Sequence, residues 1–354
     1  MLTETYIRST AAISPQKTFG NDGIPEFEEY TEVNYLKCIE PVYRDFLDPM
    51  ASRRMSRLVK MGVCSALHCL KKAGIDIPDA IITGTGLGCI EDTEKFLGSV
   101  FTQEEKLLNP TPFIQSTHNT VAAAIALALK CYGYNATYTH RGFSFETAMA
   151  DAMLQLAENP ASNVLAGGFD ELTSNSYAIT RRLGLWRTHP VNTLRLLYDA
   201  GKGALPGEGV AFFLLTGKPG NENMARLDAM HTFYNPAGGA ACGKQLEGFI
   251  RKAGLEPGDI NLVMLGLNGD VSGDALYSEA LRHAGLRTNL AAFKHLCGEY
   301  DTATSFALWL SAEILRTGAV PSQVSMGPAP GSVKNILIYN HLRGHNHALY
   351  LLSA

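Results

Sequence analysis

Residues 133–168 read GYNATYTHRGFSFETAMADAMLQLAENPASNVLAGG, and the punctuation of this stretch decides the fold. Asn135 to Thr139 carries Thr and Tyr, residues that suit an extended strand. His140-Arg141-Gly142 interrupts it as a turn. From about Ser144 to Ala157, Phe145, Ala148, Met149, Ala152 and Met153 recur at helical spacing, which predicts a helix with one buried face. Pro160 stops that helix, and Asn163-Val-Leu-Ala-Gly-Gly168 reads as a buried strand ending in a glycine pair. Strand, turn, helix and strand in close succession are the alternation of an α/β protein.

Outward from this stretch the alternation continues. A helix is predicted from about Ser56 to Ala73, where Val59, Val63, Ala66, Leu67 and Leu70 share a face and Gly74 supplies the stop. Ala80 to Thr83 reads as a short strand running into Gly84-Thr-Gly-Leu-Gly88, and an alanine-rich helix is predicted from His118 to Tyr132. An irregular stretch from Asp170 to Pro206 precedes a strand at Val210 to Leu215. Lys218-Pro-Gly-Asn221 marks a boundary between two halves, 1–217 and 218–354. The second half repeats the style of the first. It has a strand from Asn261 to Leu267, helices near Ala275 to Gly285 and Thr302 to Thr317, and strands at Asn335 to Tyr339 and His347 to Leu352. The first fifty residues show turn signals at Gly20-Asn21-Asp22-Gly23 and Asp48-Pro49, and little periodicity.

Composition narrows the class. Of 354 residues, 46% are hydrophobic and 18% charged, which suits a substantial core and excludes disorder. A net charge of −4 argues against binding nucleic acid by general electrostatics. The seven cysteines show no CxxC spacing, so reduced thiols are expected, with neither a disulfide frame nor a zinc site. No basic stretch with an apolar core opens the chain, and no run approaches the roughly eighteen apolar residues of a membrane span. The expectation is a soluble cytoplasmic protein. Thr83 to Gly88 lacks the spacing and following acid of a dinucleotide loop, so NAD is rejected and no cofactor is expected.

Seven segments in order across residues 52–346 together resemble the β-ketoacyl synthases of the thiolase superfamily. They are the basic-Met run Ser52-Arg-Arg-Met-Ser-Arg57, Thr83-Gly-Thr-Gly-Leu-Gly88, and His118-Asn119 with its alanine-rich helix. Next come Val164-Leu-Ala-Gly-Gly168 with Glu171, and Tyr198-Asp199, Gly201 and Gly207-Glu208-Gly209-Val210. Lys294 with Gly298 and Gly344-His345-Asn346 complete the series. The resemblance implies a five-layered αβαβα sandwich of two similar halves that dimerises through its first half.

In that family a cysteine on a strand-to-helix turn takes the acyl chain as a thioester, the helix N-terminus favouring the thiolate. Two histidines assist decarboxylation and hold the enolate oxygen. Counting from Gly133 or back from Gly167-Gly168 places the cysteine position at Gly142. The nearest hydroxyl is Ser144, read as a helix cap and as the fallback nucleophile. The first histidine position falls at Asn268 or Gly266, and no histidine occurs between His231 and His283. The second falls at Glu299, with Lys294 retained. Glu299 is expected to pair with Lys294 or Arg141. A gating turn is altered to Asn340-His341-Leu342-Arg343, which lines the substrate tunnel or gate.

These departures resemble those of chain-length factors, inactive subunits that pair with an active ketosynthase in polyketide, aryl-polyene or flexirubin systems. The resemblance then implies a non-catalytic subunit, with an active synthase and an acyl carrier protein as partners. Arg53, Arg54, Arg57 and Lys60 would receive the acidic carrier, or form a solvated helix start. Two other readings stand beside this one. The first is an active synthase or acyltransferase using Ser144, His140 or His295; the second is an acyl-carrier or acyl-chain binding module.

Overall fold

The computed structural model describes residues 4–199, 201–328 and 331–354. Its first half contains β1 (Thr5–Ile13), α1 (Pro49–Ser52), α2 (Arg57–Ala73), β2 (Ala80–Gly84), α3 (Ile90–Thr102), α4 (Pro110–Gln115) and α5 (Thr120–Leu129). It continues through β3 (Tyr134–Tyr138), α6 (Ser144–Glu158), β4 (Asn163–Asp170), α7 (Ser174–Arg182) and β5 (Gly209–Thr216). The rest holds β6 (Ala225–Tyr234), α8 (Gly238–Lys252), β7 (Leu262–Leu265), α9 (Val271–His283) and β8 (Asn289–Ala292). It closes with α10 (Lys294–Cys297), α11 (Thr304–Thr317), β9 (Asn335–Leu342) and β10 (Asn346–Ser353).

The strands lie in the order β3-β2-β4-β5-β1-β6-β10-β9-β7-β8. Read outward from the centre, each half repeats one pattern: two strands that alternate in direction, then three parallel strands. The halves meet where Thr5–Ile7 of β1 pairs with Ala225–Leu227 of β6, a short seam.

Burial fixes the layers. Phe145 and Met149 of α6 and Phe306, Leu310 and Ile314 of α11 share one core with Ile82 and Phe213 of the first half-sheet and Ile338 and Tyr350 of the second. A helix buried on every side belongs at such a centre, and α11 is buried from Thr304 to Leu315. Val63 of α2 and Val121 of α5 cover the other face of the first half-sheet. Leu246 of α8 and Tyr277 of α9 cover that of the second. The result is the five-layered αβαβα sandwich that the resemblance implied.

Several predicted elements move at their ends. The alanine-rich helix is shorter than expected, running from Thr120 to Leu129, because Lys130 turns left-handed at φ 54° and caps it. Gly74 caps α2 as expected, at φ 66°. Strands β1, β6 and β8 and helices α3, α7 and α8 escaped the periodicity reading. Strand β1 was hidden by its hydroxyls: Ser9 Oγ donates to the Cys69 carbonyl at 2.8 Å, and Thr10 Oγ1 to Glu313 at 3.3 Å. Helix α8 was hidden by its glycines. A Cβ on Gly243 would stand 2.4 Å from His283 Cβ, so glycine lets α8 and α9 approach closely.

Candidate functional site

The site lies where the ends of β2, β4, β7 and β9 converge on the first turns of α6 and α11. Gly142 occupies a 3₁₀ turn, Arg141–Phe143, at the head of α6, and it is buried. Arg141 holds the turn in the left-handed region at φ 54°. A Cβ on Gly142 would lie 2.7 Å from Leu342 Cδ2, 3.0 Å from Leu342 Cβ and 3.2 Å from Asn346 Cβ. The place where a side chain would start at this turn is therefore filled by Leu342 from the end of β9.

Ser144 does not cap the helix. Phe143 is the N-cap, and Ser144 is already helical and fully buried, its hydroxyl without a protein partner. All seven cysteines are buried. Burial raises the thiols of Cys38, Cys64, Cys69, Cys89, Cys242 and Cys297, the opposite of what an activated nucleophile needs.

Across the cleft stands a buried polar group. Lys294 Nζ donates to Glu299 Oε1 at 2.9 Å, to Glu299 Oε2 at 2.8 Å and to the His341 carbonyl at 3.0 Å. These use all three ammonium protons. Asn268 Nδ2 donates to Glu299 Oε2 at 2.6 Å. Of the two positions left open by the sequence, Asn268 is thus the one that meets Glu299, whereas Gly266 packs against Asn340. Glu299 takes Lys294 and not Arg141; Arg141 Nε instead lies 3.4 Å from Asp301 Oδ2.

The β9–β10 turn is held from several sides. The ring of His341 stacks on Tyr277 with centroids 4.3 Å apart. Its Nε2 donates to the Gly273 carbonyl at 3.0 Å, and its Nδ1 accepts from the Gly344 N–H at 3.2 Å. Burial, with Lys294 and His347 nearby, pushes its pKa down to about 3, so the ring is neutral. Leu342 is buried on Gly142, and Arg343 is left-handed at φ 53° and exposed. His140 and His295 do not form an acid–base pair. The former is exposed beside Thr147 Oγ1 at 3.3 Å, while the latter is buried against the Gln323 carbonyl at 2.9 Å. Burial pushes His295 down to about 4.

Two adjoining hollows, of about 70 and about 300 Å³, share Trp186, Glu299 and Arg343 in their walls. A larger hollow of about 620 Å³ between β6 and α8 shares no residue with either. Asp170, which the sequence reading passed over, closes the back of the site. It accepts from the Gly86 N–H at 2.8 Å and from Thr302 N–H and Oγ1 at 2.9 and 2.8 Å. These bonds join the ends of β2 and β4 to the segment that leads into α11. Burial, reinforced by Asp301, raises its carboxyl to about 7. The signal for it was its place directly after the strand that ends in the glycine pair.

Arg57 is not part of a free basic patch. It donates to both oxygens of buried Glu208 at 2.9 and 2.6 Å and to Glu40 at 2.5 Å. Glu208 also accepts from Lys37 and from the N–H groups of Cys38 and Leu172. Burial works against its charge, yet these donors hold its carboxyl below the ordinary range. Arg53 and Arg54 are exposed and Lys60 is half-buried.

The fold is thiolase-like. Residues 31–198 match the model of the beta-ketoacyl synthase N-terminal domain. The whole chain superposes on an ishigamide ketosynthase/chain length factor at TM-score 0.82 and 16% identity, covering 100% of both chains. It superposes on a beta-ketoacyl synthase from Burkholderia phymatum STM815 at TM-score 0.77 and 16% identity, covering 99% of both. A third similar structure is a type II polyketide-synthase acyl-carrier protein in complex with its ketosynthase bound to the hexaketide. It matches at TM-score 0.75 and 13% identity, covering 99% of each chain. Among the described residues, no helix is long and apolar enough to cross a membrane.

Proposed function

We propose that this chain is a non-catalytic ketosynthase-like subunit of chain-length-factor type, paired with an active β-ketoacyl synthase in carrier-bound chain elongation. The observation that carries this reading is Leu342 seated on Gly142, where the turn offers no atom to hold an acyl group. A second observation supports it. Glu299, in the place of an enolate-binding imidazole, brings negative charge where charge would develop, and its bonds to Lys294 and Asn268 engage it within the protein.

The alternative of an atypical nucleophile is disfavoured by the burial of Ser144 and of every thiol. A binding module without a synthase partner is disfavoured by the free edge of the sheet. Strand β3 is the end strand, and Leu127, Tyr132, Tyr134 and Leu154 are exposed on and beside it at 80%, 95%, 44% and 56%. An open edge with apolar neighbours suits pairing with a second ketosynthase-like chain. In this reading the halves 1–217 and 218–354 serve as partner-facing and tunnel-closing parts, the tunnel being bounded by His341, Leu342 and Arg343. Arg53, Arg54 and Lys60 remain to meet an acidic carrier, the pair works in the cytoplasm, and the role calls for no cofactor.

Reconstitution tests the proposal. The chain alone should not condense acyl and malonyl carrier thioesters. It should co-purify with an active ketosynthase, and the pair should lose all condensation when the partner's nucleophilic cysteine is changed to alanine. Condensation that survives that change would place the chemistry on this chain and overturn the reading.

A further inference from the structure

The last two cross-strand pairs of the β9–β10 hairpin are His341 with His347 and Leu342 with Asn346. Neighbouring pairs of a hairpin point to opposite faces of the sheet. On the face that α6 and α11 cover, Leu342 and Asn346 close over Gly142, where a Cβ would meet their Cβ atoms at 3.0 and 3.2 Å. On the face that α8 and α9 cover, the two imidazoles stand 5.2 Å apart, and both are buried. Beyond the pairs the chain turns through Arg343 and Gly344, at φ 53° and 69°. Arg343 carries a Cβ, so it takes this left-handed conformation only where something holds it.

The two rings take Gly344 by both its backbone groups. Its N–H donates to His341 Nδ1 at 3.2 Å, and its carbonyl accepts from His347 Nε2 at 3.0 Å. These partners dictate the tautomers. An amide N–H can only donate, so His341 Nδ1 is bare and the ring proton sits on Nε2, which donates to the Gly273 carbonyl at 3.0 Å. A carbonyl can only accept, so His347 also carries its proton on Nε2, and its Nδ1 accepts from the Tyr339 hydroxyl at 3.0 Å. Stacking keeps either ring from turning away. His341 lies on Tyr277 at 4.3 Å and 12°, and His347 lies on Phe233 at 4.7 Å and 15°. We propose that His341 and His347 are positioning residues that latch the β9–β10 turn, and that this latch keeps Leu342 seated on Gly142. Lifting Leu342 with its turn means breaking bonds to buried ring nitrogens that have no water to turn to. The inference builds on the reading of Leu342 as a plug and deepens it: the plug is fixed from the opposite face of the sheet.

Two measurements on the full chain test it. Long-range nitrogen-15 correlation spectra of histidine-labelled wild type should show both rings protonated on Nε2 and bare on Nδ1. Leu342→Cys puts a thiol at the seat, and its alkylation by iodoacetamide, above the background of the buried wild-type thiols, reports lifting of the turn. His341→Phe and His347→Phe keep the stacked rings and remove the bonds. In either background the L342C thiol should react about tenfold faster. His341→Asn places an acceptor oxygen where Nδ1 stands, and His347→Gln places an N–H where Nε2 stands. Both should return labelling to within about twofold of L342C alone, which a merely loosened protein would not do. The spectra need no substitution and stand even where a variant does not fold. No acyl thioester enters either measurement, so their failure leaves the non-catalytic assignment intact. Either ring protonated on Nδ1, unchanged labelling in the folded Phe variants, or labelling as fast in the Asn and Gln variants as in the Phe ones would overturn the proposal.

Discussion

The two halves of the molecule share a strand order and differ most in one connection. In the first half, β4 and β5 are joined by residues 171–208, a long link that includes α7, Trp186 and the buried guanidinium of Arg187. In the second half, β9 and β10 are joined by residues 343–345 alone. The long link roofs the cleft: Arg187 Nη2 donates to the carbonyls of Asp199 and Gly269, both at 2.6 Å, tying the roof to the turn after β7. The short link closes the floor, since Leu342 at its start sits on Gly142. A repeated scaffold thus sets where the strand ends converge, and the unequal links decide what fills the space between them. In this chain the short link sets Leu342 against Gly142 at the head of α6.

That contrast can be broken most forcefully at Lys294, the cation from which the short link hangs. Lys294→Met leaves Glu299 buried without its cation and should cost about 3–5 kcal/mol of unfolding free energy in urea. Next is the anchor under the long link. Arg57→Ala removes two charged hydrogen bonds from Glu208 and should cost about 2–3 kcal/mol. The Glu208 carboxyl is held low when folded, so its share of stability is present above the ordinary carboxylate pKa and lost as pH falls through the depressed value. Acid unfolding of R57A, followed by circular dichroism, should therefore start at a higher pH than in the wild type.

Gly142→Cys sharpens the comparison at the floor itself. Its Cβ would overlap Leu342, so overpacking should cost about 1–3 kcal/mol in thermal unfolding. G142C/L342A should recover most of that loss, and its thiol should react with iodoacetamide faster than in the single variant. A smaller effect is expected at His295, whose folded pKa of about 4 lies below the ordinary value of roughly 6.5. Its contribution is complete above the ordinary value and is lost as pH falls towards the folded one, because the unfolded chain takes the proton first. His295→Leu should flatten that part of the stability–pH curve by up to one proton. The smallest effect belongs to the exposed pair Arg53 and Arg54. Alanine at both should change stability by less than about 0.5 kcal/mol while weakening carrier binding in a salt-dependent manner.

Much of this was legible in the sequence, and the reasons are physical. Helices α2 and α6 carry a clean apolar period and clear stops, and both lie close to where the sequence places them. Gly142, Asn268, Lys294 and Glu299 could be located because strand ends and glycine turns punctuate the chain around them. Other features left no local trace. Arg57 sits in a basic run, and only the fold brings Glu208 to it. Glu146 looks like an ordinary first-turn acid on a helix, a common and exposed feature elsewhere. It is 1% exposed, on a helix that shares its core with α11, far along the chain. The plug by Leu342 is likewise a long-range contact, and the replacement of a turn sequence gives no hint of it.

Intact-mass spectrometry of the purified chain after incubation with an acyl-carrier thioester tests the central claim most directly. The account expects the mass of the unmodified polypeptide, under conditions where an active ketosynthase in the same tube acquires one acyl group. A stoichiometric acyl adduct on this chain, at Ser144, at a cysteine or at any other side chain, would contradict it.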